Sequence, residues 1–357
     1  MAHSIALAQP SSQSWSFSQD LSDVLLSTED IWPSLRSARI FITGGTGFIG
    51  RWLLESLRLA NDTLDLDLRA TILTRNPDAF ADAAAHLTDY EPFEFVSGDV
   101  SSFSSPSGAY SHVIHAATEA SAHLNRTNPR QMFSTIVDGT RRVLDFAVEK
   151  HVSRFLHLSS GAVYGRQPQE VTHVGEEWLG GPGCTDARNT YAEGKRAAEM
   201  FCAIYGKQFG LDISVARIFA LLGPHLALDI HFAAGNFILD AIAGRPALVE
   251  GNGLACRSYL YAGDLTAWLL RMLVQAKPGV TYNVGSEESI SIGELAERTS
   301  KLLGAGKFEI RGGPDAGWNP GRYVPDTTRI RRDLGVSATV GLDEAIRRTA
   351  LWNGWTP

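Results

Sequence analysis

Short apolar runs rich in β-branched residues alternate along this chain with longer stretches whose apolar positions recur three and four apart. The short runs are RIFIT (39–43), RATILT (69–74), FEFVSGD (93–99), HVIHAA (112–117), RFLHLSS (154–160) and DISVARIF (212–219). Helical periodicity fills the gaps and predicts helices over about 48–60, 78–87, 129–150 and 190–209. Strands this apolar belong to a parallel sheet covered on both faces, and strand–helix–strand units cross over with a right-handed sense. The predicted class is α/β, a doubly wound Rossmann parallel sheet.

The alternation loosens after LLGP (221–224). Helices near 233–243, 264–275 and 342–352, with strands near 247–250 and 281–284, predict a smaller C-terminal substrate-binding lobe. The expected division is a dinucleotide-binding domain over 38–222, with the chain returning to it around 258–280. Residues 223–357 then form mainly the substrate lobe. Ahead of the first strand, residues 1–37 are an extension. Its polar Ser/Gln-rich start (1–19) is expected to be loose, and DLSDVLLSTEDIWPSLRS (20–37) to form helical turns.

Composition narrows the function classes. The 357 residues are 44% hydrophobic and 20% charged with a net charge of −7, which argues against a dedicated nucleic-acid binder. Cys184, Cys202 and Cys256 lie too far apart for metal-ligand or disulfide spacing, so no metal is expected and a reducing compartment is. No apolar run approaches the length of a membrane span, and the N-terminus lacks the pattern of a signal peptide. A cytoplasmic protein without membrane contact is the expectation.

Chemistry enters at the first strand–helix junction. Gly44, Gly47 and Gly50 form G-x-x-G-x-x-G between strand and helix. The first permits the turn, the second lets backbone approach a pyrophosphate, and the third lets the helix lie against the sheet. Thr46, Phe48 and Ile49 complete that turn, and the helix start supplies N–H donors to phosphate. The second strand ends in Thr74-Arg75-Asn76 where an acidic residue would mark NAD. Arg75 can pair with a ribose 2′-phosphate, which favours NADP, or stack on the adenine with either cofactor. Asp99 can hold the adenine amino group, with Val100 beside it. Ala116, Ala117 and Thr118 would flank the middle of the cofactor.

Tyr191 and Lys195 stand four apart at the start of a predicted helix, on one face, and Ser159-Ser160 closes the preceding strand. A phenol with a pKa near 10 is a poor base at neutral pH. A nearby ammonium and an oxidised nicotinamide would favour its phenolate. Tyr191 could then take a proton from a sugar hydroxyl as hydride leaves the same carbon. Ser160 would bond the oxygen, and Lys195 would also fix the nicotinamide ribose.

These residues, in this order, resemble the extended short-chain dehydrogenase/reductase family in its nucleotide-sugar epimerase/dehydratase branch. The matching stretches include FITGGTGFIG (41–50), HVIHAAT (112–118), LSSGAVYG (158–165), YAEGK (191–195), CRSYLYAGDL (256–265) and GRYVPDTTRIRRDLG (321–335). The resemblance implies a seven-stranded sheet, a homodimer through a four-helix contact and a nucleotide-sugar substrate. Arg257 and Arg322 would grip its diphosphate, with Asn236 at the nucleotide.

Departures from the family pattern narrow the reaction. Dehydratases of this kind carry an Asp-Glu pair, and decarboxylases of UDP-glucuronate a Glu, where this chain has Gly161 and Ala162. Two customary Asn positions hold Ile136 and Ala220. A relocated acid or base could come from Glu119, Glu193 or His231. The expected function is an NAD(P)-dependent NDP-sugar 4-epimerase. The alternative is an NADPH-dependent 4-keto-6-deoxy-sugar reductase, followed by a dehydratase with relocated acid and base and by a non-catalytic cofactor sensor.

Overall fold

The computed structural model describes residues 15–118, 122–230, 232–313 and 321–357. Glu119 and His231 lie outside the described residues.

Six strands follow the expected runs closely: β1 (Arg39–Thr43), β2 (Arg69–Thr74), β3 (Phe93–Ser97), β4 (His112–His115), β5 (Arg154–Ser160) and β6 (Ile213–Ile218). The seventh is the Thr281–Val284 strand, and the order across the wholly parallel sheet is Thr281–Val284, β6, β5, β4, β1, β2, β3. That last strand was expected in the C-terminal lobe. It instead pairs Thr281 with Val215 and Val284 with Ile218, so the chain's return to the main sheet extends to residue 284.

The helices are α1 (Phe17–Ser27), α2 (Phe48–Leu64), α3 (Pro77–Thr88), α4 (Ala122–Thr127), α5 (Pro129–Glu149), α6 (Thr190–Phe209), α7 (Ala233–Ile242), α8 (Ala262–Gln275), α9 (Ile292–Leu302), α10 (Thr328–Leu334) and α11 (Leu342–Trp352). Strand alternation divides β1 between two cores. Ile40 and Ile42 pack with Leu53, Leu57 and Leu269 of α2 and α8, whereas Phe41 packs with Val143 and Phe146 of α5. Both faces are thereby covered, which is why these strands read as unbroken apolar runs. A third cluster, with Phe237, Ile238, Leu295 and Ile346, forms the C-terminal lobe, and Trp52 and Tyr261 tie it to the main domain.

The N-terminal extension has a definite place. Ser16 caps α1 by accepting from Gln19 N–H, and the helix begins three residues before the expected helical turns. Its buried Asp20 accepts from Trp15 Nε1 at 3.1 Å and from the Tyr261 hydroxyl, and pairs with Arg348 of α11. One carboxylate thus joins the extension to the chain's last helix. Among the described residues, no helix is long and apolar enough to cross a membrane.

Candidate active site

The glycine turn is a close-packed device. Gly44 has φ +74°, and a Cβ there would lie 2.6 Å from the Ala116–Ala117 backbone. At Gly50 a Cβ would lie 2.2 Å from Gly44 O, so α2 approaches the turn only because the residue has no side chain. Gly47 differs. It caps α2 with φ −82°, and a Cβ would meet only Gly44 O at 3.5 Å. Its missing side chain is not required by the protein's own packing and leaves room for a ligand at the helix N-terminus. Thr118 Oγ1, three residues beyond β4, is buried without a partner among the described residues and could take one from a ligand. The cradle therefore fits a dinucleotide.

The remaining candidates on this side are placed variously. Thr46 and Thr74 hydroxyls meet at 3.4 Å across the turn. Phe48 and Ile49, in the first turn of α2, pack partly against the lobe and sheet cores. Asp99 accepts from the N–H (2.9 Å) and hydroxyl (2.5 Å) of Ser101, which hold its carboxyl below the ordinary value, and the charge of Arg75 adds to this. Val100 turns its side chain into the core, where a Cβ on Gly139 would come within 2.8 Å of it. Only its backbone is left for a cofactor.

Beneath the turn lies a chain of hydroxyls and an imidazole that sequence reasoning missed. Ala117 N–H donates to Thr43 Oγ1 at 3.2 Å, Thr43 lies 2.7 Å from His115 Nδ1, His115 Nε2 lies 3.0 Å from Thr140 Oγ1, and Thr140 donates to Ile136 O. Every proton finds an acceptor when Thr43 donates to His115 and His115 donates to Thr140. Burial keeps that imidazole neutral, its pKa pushed down to about 3. The chain pins the backbone against which Gly44 packs.

On the catalytic side, Ser160 ends β5 and caps the short 3₁₀ turn Gly161–Tyr164, accepting from Ala162 N–H at 3.2 Å. Tyr191 and Lys195 share one face at the start of α6. The Tyr191 phenol lies on an apolar bed of Met132, Ile136 and Ala198, so one of the two substituted Asn positions has become part of its packing. Ala220, the other, pairs with Tyr259 in a short parallel ladder. Burial raises the pKa of the Tyr191 phenol, and the nearby Ser160 hydroxyl acts the other way, in favour of the phenolate. The Lys195 ammonium donates to Leu158 O at 2.7 Å, and the expected lowering of the phenol's pKa also needs an oxidised nicotinamide beside it. Burial lowers the lysine itself to about 8.

Carboxylates near the trio are engaged. Glu199 accepts from Ser159 at 2.5 Å and pairs with Arg217 at 2.6 Å, while Glu193 faces Arg196 at 3.7 Å. At Gly161 a Cβ would come within 2.6 Å of the Phe219 ring, so this position has no room for an acidic side chain.

The expected substrate contacts sit on a three-strand ribbon in which Cys256–Arg257 lies between Ile290–Ser291 and Arg322–Tyr323. The register pairs Cys256 with Arg322 and Arg257 with Tyr323. Arg257 and Tyr323 therefore share a face, with the guanidinium 5.9 Å from the ring centroid. Arg322 leaves by the other face and donates to Ser289 Oγ at 3.2 Å. The two cations expected to act together start from opposite sides of the ribbon. Asn236 is exposed on α7, and with its amide turned so that the nitrogen faces the two carbonyls it donates to Leu228 O (2.9 Å) and Ile230 O (3.2 Å). Tyr323, whose hydroxyl lies 3.3 Å from Ser160 Oγ, was not anticipated. Its signal was its place in the GRYVPD stretch. Among the described residues, no group of three His, Cys, Asp or Glu side chains could hold a metal.

Comparison with known proteins gives a consistent picture. The model of the NAD dependent epimerase/dehydratase family matches residues 40–285. UDP-glucuronic acid decarboxylase 1 of Xenopus tropicalis is 32% identical over 315 residues, covering 87% of this chain and 71% of that one. UDP-glucuronic acid decarboxylase 5 of Arabidopsis thaliana is 30% identical over 311 residues, covering 86% and 87%. Among solved structures, UDP-glucose 4-epimerase of Thermotoga maritima, with UDP-glucose, superposes with TM-score 0.74 at 19% identity, covering 88% of this chain and 98% of that one. The dTDP-glucose 4,6-dehydratase of Bacillus anthracis, in complex with NAD, gives 0.72 at 19% identity, covering 88% and 96%. The chain belongs to the NAD-dependent epimerase/dehydratase family of nucleotide-sugar enzymes.

Proposed function

We propose that this enzyme oxidises a nucleotide sugar at C4 and returns the hydride to the opposite face, acting as a 4-epimerase. The observation that carries the reading is the hydroxyl pair of Ser160 and Tyr191, with no titratable side chain at 161 or 162. Bound in the glycine cradle, a nicotinamide dinucleotide would supply the hydride acceptor and donor. As the phenolate, which the Lys195 ammonium and the positive charge of an oxidised nicotinamide would favour, Tyr191 takes the O4 proton as the C4–H bond breaks and the C4–O double bond forms, and Ser160 donates to the same oxygen. Lys195 supplies a buried cation one helical turn below. Once the keto sugar has turned over, Tyr191 returns the proton, and no net oxidation results. Removing water across C5–C6 needs a further base and acid, and among the described residues Glu193 and Glu199 of α6 face arginines.

A second reading has its own support, because the relatives named above are UDP-glucuronic acid decarboxylases. Oxidation at C4 turns a C6 carboxylate into a β-keto acid, which loses carbon dioxide without the Glu missing at Ala162. The position of Arg75 beside Asp99 favours a cofactor carrying a 2′-phosphate. Arg257, on the face shared with Tyr323, suits the substrate diphosphate. The exposed Phe133 of α5, with Met200 and Ile204 of α6, would serve a homodimer contact.

The test offers UDP-glucose, dTDP-glucose and UDP-glucuronic acid to the purified protein with NAD and with NADP, products being read by mass spectrometry and NMR. Inversion at C4 without net cofactor consumption supports the epimerase. Loss of carbon dioxide assigns decarboxylation, and a 4-keto sugar reduced only with added NADPH assigns the reductase. Tyr191→Phe is expected to lower turnover at least about a thousandfold. Undiminished turnover by that variant would refute the mechanism.

A further inference from the structure

Tyr323 brings a second phenol to Ser160, from a ribbon far away in sequence. Its oxygen lies 3.3 Å from Ser160 Oγ and donates to Ile218 O at 3.2 Å. Its ring stacks on Phe219 at 4.5 Å between centroids. The strand carrying it is fixed by Val324 N–H, which donates to Gln167 Oε1 at 3.2 Å. The phenol thus stands beside Ser160, at the start of the 160–162 turn.

Counting protons gives the direction of each bond. A phenol has one proton, and the Ile218 carbonyl can only accept, so that proton is committed to Ile218. Ser160 is then the donor in the Ser160–Tyr323 pair, while its oxygen accepts from Ala162 N–H. Burial raises the Tyr323 pKa, which keeps the phenol protonated and the arrangement intact. The Ser160 proton is therefore turned to Tyr323, with the nearby Tyr191 phenol as the alternative acceptor.

We propose that Tyr323 is the positioning residue for Ser160: it holds the serine hydroxyl in the rotamer from which its proton passes to the substrate oxygen, rather than leaving it to turn onto Tyr191. The role rests on the C4-oxidation reading above and acts only through Ser160. A direct contact between Tyr323 and the sugar would behave differently, because its loss would be felt with or without the serine hydroxyl.

The experiment compares the full-length wild type, S160A, Y323F and S160A/Y323F, using whichever of UDP-glucose, dTDP-glucose or UDP-glucuronic acid the wild type converts. Phenylalanine keeps the ring on Phe219, and Tyr323→Leu serves as a second hydroxyl-free variant should the first fold poorly. Expected is a fall in kcat of about five- to twentyfold for Y323F with KM within about twofold, and less than about a twofold further fall in the S160A background. A kcat equal to wild type, a fall that multiplies with that of S160A, or a rise confined to KM overturns the positioning role while the catalytic reading stands. A wild type inert towards all three sugars with either cofactor overturns both.

Discussion

On the Gly44 side of the proposed site, the surface is mostly main chain. Gly44 abuts Ala116 and Ala117, Gly50 abuts Gly44, and the imidazole of His115 sits underneath as part of a closed hydrogen-bond chain. On the Arg257 side the surface is made of side chains carried by strands of two residues, drawn from around positions 256, 290 and 322. The first wall is rigid because its contacts are backbone to backbone and leave no rotamer to choose. The second can change its partner by exchanging side chains without disturbing the main sheet. A family that keeps one redox group while varying its sugars needs both kinds of wall.

The sharpest way to break this contrast uses two glycines of one turn. Gly50→Ala forces a Cβ into the Gly44 backbone and is expected to cost at least about 3 kcal/mol, enough to lose the fold or most of its melting temperature. Gly47→Ala meets no such obstacle, so its melting temperature should stay within about 2 °C of wild type while affinity for the dinucleotide falls at least tenfold. Calorimetry and fluorescence titration read the two quantities. Equal effects on stability would mean that the turn is not divided between packing and ligand approach.

Lys195 tests whether function is maintained against stability. Its ammonium is buried and its pKa is lowered to about 8. The unfolded chain therefore holds the proton more tightly between about pH 8 and 10.5, and stability rises with pH through that window. Below it the burial penalty is constant. Lys195→Met should remove that slope and raise stability at pH 7 by on the order of 1–3 kcal/mol, while turnover falls at least a hundredfold. Melting curves of both proteins from pH 6 to 10 check the sign. A variant less stable at pH 7 would show that the Leu158 bond outweighs desolvation.

What could be read in advance follows the same division. The strands β1, β2 and β5 and helix α6 coincide with their predicted limits because each is a local run with its own periodicity, and the glycine turn is contiguous. The placement of Ser160, Tyr191 and Lys195 was legible for the same reason, as two short motifs at the end of a strand and the start of a helix. The Thr281–Val284 strand was recognised but misassigned, since nothing local says which sheet a four-residue run will join. The Thr43–His115–Thr140 chain and Tyr323 were missed. Each depends on residues from separate elements meeting, and a threonine or tyrosine in a strand signals only ordinary strand preference.

The substrate wall yields the smallest effect and the most direct test of register. If ribbon alternation governs which groups face the cleft, the two arginines are unequal despite standing on adjacent strands. Arg257 shares its face with Tyr323 and, through it, with Ser160, whereas Arg322 donates to Ser289 on the other side. Arg257→Ala would then remove a charge-assisted contact worth about 1.5–3 kcal/mol and raise KM about ten- to hundredfold with little change in kcat. Arg322→Ala should raise KM no more than about threefold. The decisive measurement repeats both variants with the free nucleoside diphosphate as a competitive inhibitor, because this probe lacks the sugar and reports on diphosphate recognition alone. A matched loss in the two variants would mean that both guanidiniums curl round the ribbon to one phosphate group. Strand register would then have no hold on specificity at this wall.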